Sequence, residues 1–252
     1  MYKEMVEKFS LAAEGKIGIL KKNPMRYLLL SAMAGIFVGL GIILIFSIGG
    51  TIGDSPFKKT LMGASFGIAL SLVIMIGSEL FTGNNMIMTV ASLNKRVTWI
   101  DSLKVWLVSY TGNLLGSIAV GLTFVLAGLA SGGVLDFINK VSAAKMAGSF
   151  SELFFKGVLC NMLVCLAVFA AMKLKEETAK LIMIWWCLFA FITSGFEHSI
   201  ANMTLFSISL FAPHAATVSL SGAVANLIPV TLGNFVGGAI VIGASYYFIG
   251  KE

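Results

Sequence analysis

Charged side chains are missing from long stretches of this 252-residue chain. Residues 27–53, 105–135 and 157–172 carry none, 60–94 carries only Glu79, and 181–250 carries only Glu197. A helix needs about 20 apolar residues to cross the hydrocarbon core of a bilayer. The first four gaps therefore hold one crossing each, and the last is long enough for two and a connection. Continuous apolar runs make helices, because barrel strands would alternate polar and apolar side chains. The spans fall at about 27–49, 60–92, 104–130, 153–173, 179–206 and 221–249. Charged residues are 12% of the chain, against about 25% in a soluble domain, which excludes a water-soluble fold. The basic residues are scattered between apolar stretches, which excludes a nucleic-acid surface.

Six crossings put both termini on one side. That side holds Lys3, Lys8, Lys16, Lys21, Lys22 and Arg26, the loops with Lys95, Arg96, Lys104, Lys173, Lys175 and Lys180, and Lys251. The other side holds Lys58, Lys59, Lys140, Lys145 and Lys156. The positive-inside rule makes the first side cytoplasmic. Within residues 1–22, Val6, Phe9, Ala13, Ile17 and Leu20 recur at helical spacing between charges. This predicts an amphipathic helix along the cytoplasmic interface, ended by Asn23-Pro24. Cys160, Cys165 and Cys187 lie in apolar stretches with no metal-ligand spacing and read as unpaired buried thiols. No metal or cofactor is expected.

The chain repeats itself. Gly77-Ser78-Glu79 and Asn84 recur as Gly195-Phe196-Glu197 and Asn202, 118 residues on. Gly112-Asn113-Leu114-Leu115-Gly116 recurs as Gly233-Asn234-Phe235-Val236-Gly237, 121 residues on, and Gly35 matches Gly157 at 122. Each copy, about 27–130 and 153–249, holds three spans. An odd number forces the copies into opposite orientations, the inverted repeat of transporter and channel folds. The second and fifth spans carry matching polar irregularities. Gly83-Asn84-Asn85 predicts a helix break inside the second, and breaks at corresponding positions of two halves point to a substrate site. Half-helix N-termini there would favour an anion.

Few groups in the spans carry ionisable chemistry. Glu79 and Glu197 read first as structural acids that accept the free N–H groups of the breaks; a negative charge on the path would repel an anion. His198, whose counterpart in the first copy is Leu80, is either a core histidine bonded to Glu197 or a carbonyl, or a proton or hydrogen-bond donor to a permeating ion. Thr82 either caps its half-helix or bonds a substrate. Asn161 is a buried amide that needs partners. Periodicity does not separate pore-lining from packing roles for Phe66, Leu70, Val164 and Phe191. No HExxH, GxSxG, P-loop or GxGxxG motif is present, and no nucleophile–base pair suggests an enzyme. A water channel would show paired Asn-Pro-Ala breaks, and the breaks here carry no proline.

Glu79-Leu80-Phe81-Thr82-Gly83-Asn84, Gly157-Val158-Leu159-Cys160-Asn161, Gly195-Phe196-Glu197-His198-Ser199 and Gly233-Asn234-Phe235-Val236-Gly237-Gly238 together resemble the formate/nitrite transporter family, from about Phe9 to Gly250. The resemblance implies an all-α membrane protein with six transmembrane helices. They form two inverted three-helix repeats in an aquaporin-like fold, with helices two and five broken. It implies a homo-pentamer in the bacterial inner membrane, each protomer a pore for small monovalent anions. It makes His198 the central histidine and Thr82 the facing hydroxyl. It puts Phe66, Leu70, Leu80, Phe81, Val164 and Phe191 at two apolar constrictions. Lys16 and Lys145 become the lysines that draw anions in, and Asn161 and Asn202 polar positions near the chamber. Among the anions hydrosulfide is expected first, since Gly83 and Asn84 stand where some formate members have hydroxyl residues, with formate or nitrite next. A proton-coupled transporter is the alternative to a passive channel.

Overall fold

The computed structural model describes residues 2–251. Helix α1 (Tyr2–Lys22) is followed by α2 (Pro24–Thr51). The second span is built from α3 (Lys58–Ser65), α4 (Ile68–Leu72), a π-helical turn at Val73–Gly77 and, after a break, α5 (Phe81–Leu93). Then come α6 (Trp99–Leu126), α7 (Gly132–Met146) and α8 (Phe150–Lys173). The fifth span is α9 (Glu177–Ser194) and, after the second break, α10 (Ser199–Phe211). Helix α11 (Leu220–Phe235), a π-helical stretch Val236–Ala244 and α12 (Ser245–Gly250) close the chain. Six helical units are long and apolar enough to cross a membrane, with α10 a shorter apolar helix beside them. No strand occurs among the described residues.

Local chemistry sets the helix starts. Asn23 accepts the Arg26 N–H at 2.9 Å with Pro24 just inside α2, the favoured order for a helix N-terminus. Thr98 and Asp101 form a capping box at α6, and Ser149 and Ser219 cap α8 and α11. Both broken spans end their first half at a glycine with positive φ, Gly77 at 87° and Gly195 at 75°. Leu80 and His198 are then extended and sit at the N-caps of α5 and α10. The first break therefore lies at 78–80. Gly83-Asn84-Asn85, where the sequence predicts it, is helical in the first turns of α5. Asn84 is spent on side-chain bonds to Glu79 and Tyr27, so its presence does not open the backbone.

The two halves repeat each other's backbone hydrogen bonds at the breaks. Glu79 N–H donates to Leu30 O, and Glu197 N–H to Lys156 O. Tyr110 Oη and Thr231 Oγ1 lie 3.0 Å apart; they are related by the 121-residue offset, so this contact sits on the pseudo-twofold axis. Helices α2 and α8 correspond at an offset of 126, which equates Ser31 with Gly157 and Gly35 with Asn161. Matching Gly35 to Gly157 is thus one helical turn out. Each glycine admits a neighbouring backbone, Gly35 that of Asn113 and Gly157 that of Val230, but at successive turns of the same groove.

Two elements depart from expectation. The apolar face of α1 is turned onto the protein: Met5, Val6, Phe9, Ala13, Ile17 and Leu20 are buried, and Phe9 packs on Phe169 with ring centroids 5.4 Å apart. Its apolar face is therefore covered by the helical body of the protein. Helix α7, in the connection between the copies, is its counterpart. Ile138 and Met146 are buried there, and Phe137 meets the ring of Phe46.

Candidate functional site

The free N–H groups at the breaks are not taken by glutamates. Asn113 Oδ1 accepts from Phe81 N–H at 2.9 Å while its Nδ2 donates to Ser31 O and Glu79 O. Asn234 repeats this, accepting from Ser199 N–H and donating to Gly157 O and Glu197 O. An amide supplies both an acceptor and two donors, which a carboxylate cannot, so asparagine holds each break.

The carboxylates hold side chains instead. Glu79 receives Lys16 Nζ at 2.7 and 2.9 Å, Tyr27 Oη at 2.8 Å and Asn84 Nδ2 at 3.1 Å. Glu197 receives Lys145 Nζ and Asn202 Nδ2, both at 2.6 Å. Asn202 also reaches Asn226, which in turn donates to Lys145 O. The sequence contains every member of these clusters but does not show that α1 and α7 carry Lys16 and Lys145 to them. Each lysine is thereby neutralised by its own carboxylate.

A cavity of about 310 Å³ opens beside Lys16 and Glu79, and one of about 430 Å³ beside Lys145 and Glu197. Between them lies a chamber of about 10 Å³ walled by Val38, Phe66, Ala69, Leu70, Leu80, Val164, Leu188, Phe191 and His198. Leu70 and Leu80 border both the chamber and the Lys16 vestibule. Phe191 and His198 border both the chamber and the Lys145 vestibule. These shared walls separate the chamber from each vestibule. Phe66 meets Phe191 edge-on at 5.5 Å. Val38, Ala69 and Leu188 join them without any sequence signal, since a lining residue and a core residue share the same apolar periodicity.

His198 is the one polar side chain on the chamber wall. Its ring stacks on Phe191 at 6.0 Å. Ala201 N–H donates to its Nδ1 at 3.2 Å. A backbone N–H can only donate, so Nδ1 is unprotonated and the neutral ring carries its proton on Nε2. That nitrogen lies 3.2 Å from Thr82 Oγ1 and donates to it. Neither Glu197 nor a carbonyl is its partner. Thr82 therefore does not cap α5; its hydroxyl faces the histidine.

Three assigned residues, Asn161, Phe81 and Thr82, line none of these cavities. Asn161 is fully buried and donates to Thr82 O and Asn234 O, tying α8 to both breaks as an interhelical lock. Phe81 stands edge-on to Tyr110 at 5.0 Å and lines neither vestibule nor the chamber, because the start of α5 turns its ring toward α6. Asn202 lines the Lys145 vestibule with its amide nitrogen committed to Glu197 and Asn226. Among the described residues, no group of His, Cys, Asp and Glu side chains is arranged to hold a metal ion. The three cysteines are free, and all are buried.

The sequence profile described as formate/nitrite transporter matches residues 3–248. The chain belongs to the formate/nitrite transporter family. It is 43% identical to the nitrite transporter NirC of Escherichia coli over 98% of this chain and 92% of that one. A solved FNT family ion channel superposes with a TM-score of 0.94 at 41% identity, over 98% of both chains. A pentameric formate channel with formate bound superposes with a TM-score of 0.82 at 30% identity, over 92% of this chain and 99% of that one. The family's aquaporin-like fold is the fold of this chain, which is a multi-pass membrane protein. Its family and neighbours are transporters and channels.

Proposed function

We propose that the chain is a passive channel for small monovalent anions of weak acids, with nitrite, formate and hydrosulfide as substrates. The observation that carries this reading is the apolar chamber between two vestibules, with His198 Nε2–H as its only polar wall. A bare anion meets a large desolvation cost in such a constriction. The positive ends of α5 and α10 offset part of it at mid-membrane, and the Nε2–H would turn from Thr82 to the anion. The named relatives transport nitrite or conduct formate. The chamber's volume, about one water-sized sphere, places the premium on compactness, which favours hydrosulfide, the smallest of the three.

The orientation of His198 selects among its roles. Loss of the Nε2 proton from a ring already unprotonated at Nδ1 would leave an imidazolate, and protonating Nδ1 would break the cap on Ala201. His198 acts as a fixed hydrogen-bond donor, and the proton that neutralises the weak acid comes from the water of the vestibules. Leu70, Leu80, Phe66, Val164 and Phe191 exclude strong-acid anions such as chloride, which stay charged. Lys16 and Lys145 are each paired with a carboxylate, Glu79 and Glu197, and so leave little net charge of their own at the mouths. The pentameric neighbour supports a homo-pentamer in a bacterial inner membrane, with termini on the more basic, cytoplasmic side.

Uptake into proteoliposomes tests this with hydrosulfide, formate, nitrite and chloride at two pH values. Weak-acid flux is expected to rise as pH falls, with chloride excluded at both values. Replacing His198 with phenylalanine removes the donor and should cut flux at every pH. Flux of chloride comparable to formate, or flux indifferent to both pH and His198, would refute the reading.

A further inference from the structure

The two vestibules differ in charge where the scaffold is otherwise symmetric. The Lys16 vestibule is lined by Lys16 and Glu79, one cation and one anion in contact. The Lys145 vestibule is lined by Lys58, Lys59, Lys145 and Lys156 against the single carboxylate of Glu197. Once the two lysine–glutamate pairs are set against each other and Lys156 is counted with Glu152, Lys58 and Lys59 remain as surplus cations on one side. Lys58 leans over the Phe137 ring at 4.8 Å, and its nearest acid, Asp54, is 3.9 Å away with a fully exposed side chain. Lys156 pairs with Glu152, which is half-exposed and outside the cavity wall.

The repeat makes this asymmetry specific. The 118-residue offset of the broken spans carries Lys58 and Lys59 to Glu176 and Glu177, and the 126-residue offset carries Lys156 to Leu30. At positions corresponding to these lysines the other half has acidic or apolar residues, of which only Leu30 lines the Lys16 vestibule. The chamber behind both mouths has about 10 Å³ and the Lys145 vestibule about 430 Å³. The vestibule therefore accommodates anions that the chamber does not.

We infer that the Lys145 vestibule is an anion antechamber that holds small inorganic dianions, with Lys58 and Lys59 as the groups that retain them. A dianion such as sulfate enters it, is too large and too costly to desolvate to go further, and blocks permeation from that side alone. The inference rests on the reading of the two cavities as mouths of the permeation path. Two surplus unit charges about 10 Å from a dianion in water raise its local concentration by on the order of tenfold at low ionic strength. The effect collapses near 1 M salt, where the screening length is about 3 Å.

Formate uptake is measured in right-side-out and inverted membrane vesicles while sulfate is added outside. Sulfate should inhibit at about tenfold lower concentration from the face that carries Lys58 than from the opposite face, and high salt should abolish the difference. K58Q/K59Q should bring the two faces within about threefold, and K58R/K59R, which keeps the charge, should retain the sidedness. Intact formate flux with equal block from both faces would overturn the antechamber. So would sidedness that survives K58Q/K59Q. Absence of flux for formate, nitrite and hydrosulfide in the unblocked wild type would instead overturn the permeation reading beneath it.

Discussion

Replacing Asn234 with leucine tests how the breaks are held. The leucine keeps the branching and heavy-atom count of the amide and removes three buried hydrogen bonds at 2.8 to 2.9 Å, to Gly157 O, Glu197 O and Ser199 N–H. Interhelical hydrogen bonds in membrane proteins average about 0.6 kcal/mol and reach about 1.7, so the three together contribute about 2–5 kcal/mol. The stranded backbone groups each add a desolvation cost of about 1–3 kcal/mol where water does not reach them. The total is therefore no less than about 2 kcal/mol, and it is large against the ~5–15 kcal/mol of a typical native state. N113L should cost the same within about 1 kcal/mol, because Asn113 makes the same three bonds in the other half. Reversible denaturation in mixed micelles measures both variants. A loss under about 1 kcal/mol in either, with flux retained, would refute the claim that these asparagines secure the half-helices.

Three further outcomes follow from particular contacts. An alanine at Gly116 or Gly237 would drive its Cβ into the carbonyl oxygen of Ala32 or Val158, so G116A and G237A should cost above ~3 kcal/mol or prevent folding. G18A, where no atom lies within 4 Å of the added Cβ, should stabilise by up to ~1 kcal/mol; thermal denaturation in detergent reads all three. E79Q leaves the ammonium of Lys16 uncompensated and should cost about 3–5 kcal/mol, with K16M/E79Q recovering part of the loss in a double-mutant cycle. The Arg96 guanidinium holds the Glu14 carboxyl below its ordinary value. A depressed carboxyl stabilises above its unfolded value and loses that contribution as pH falls through its folded one. The protection factors of α1 amides, corrected for the intrinsic pH dependence of exchange, should therefore fall as pH drops below the ordinary carboxylate range in wild type, and R96Q should flatten that dependence.

The crossings were legible because lipid excludes charge, and a gap in charge is visible without any contact being known. The repeat was legible where glycine and asparagine are obligatory: Gly77 and Gly195 take positive φ, and Asn113 and Asn234 must both accept and donate. It failed by a turn at Gly35 because a glycine that admits a neighbouring backbone looks alike at every turn of a groove. The break was misplaced to Gly83-Asn84-Asn85 because turn-forming composition does not reveal that Asn84 is already bonded to Glu79. Helix α7 and the pairing of Lys145 with Glu197 depend on long-range packing, which no local spacing encodes. What distinguishes one face of the protein from the other lies in departures from the repeat. His198 stands opposite Leu80, so one break presents a donor to the chamber and the other an apolar wall. Tyr27 supports Glu79 where the corresponding Leu153 cannot, and Asn226 supports Asn202 where Val105 cannot. A symmetric scaffold alone would conduct without preference of side. These few substitutions, each readable once the two halves are aligned in three dimensions, are what make the two mouths chemically different.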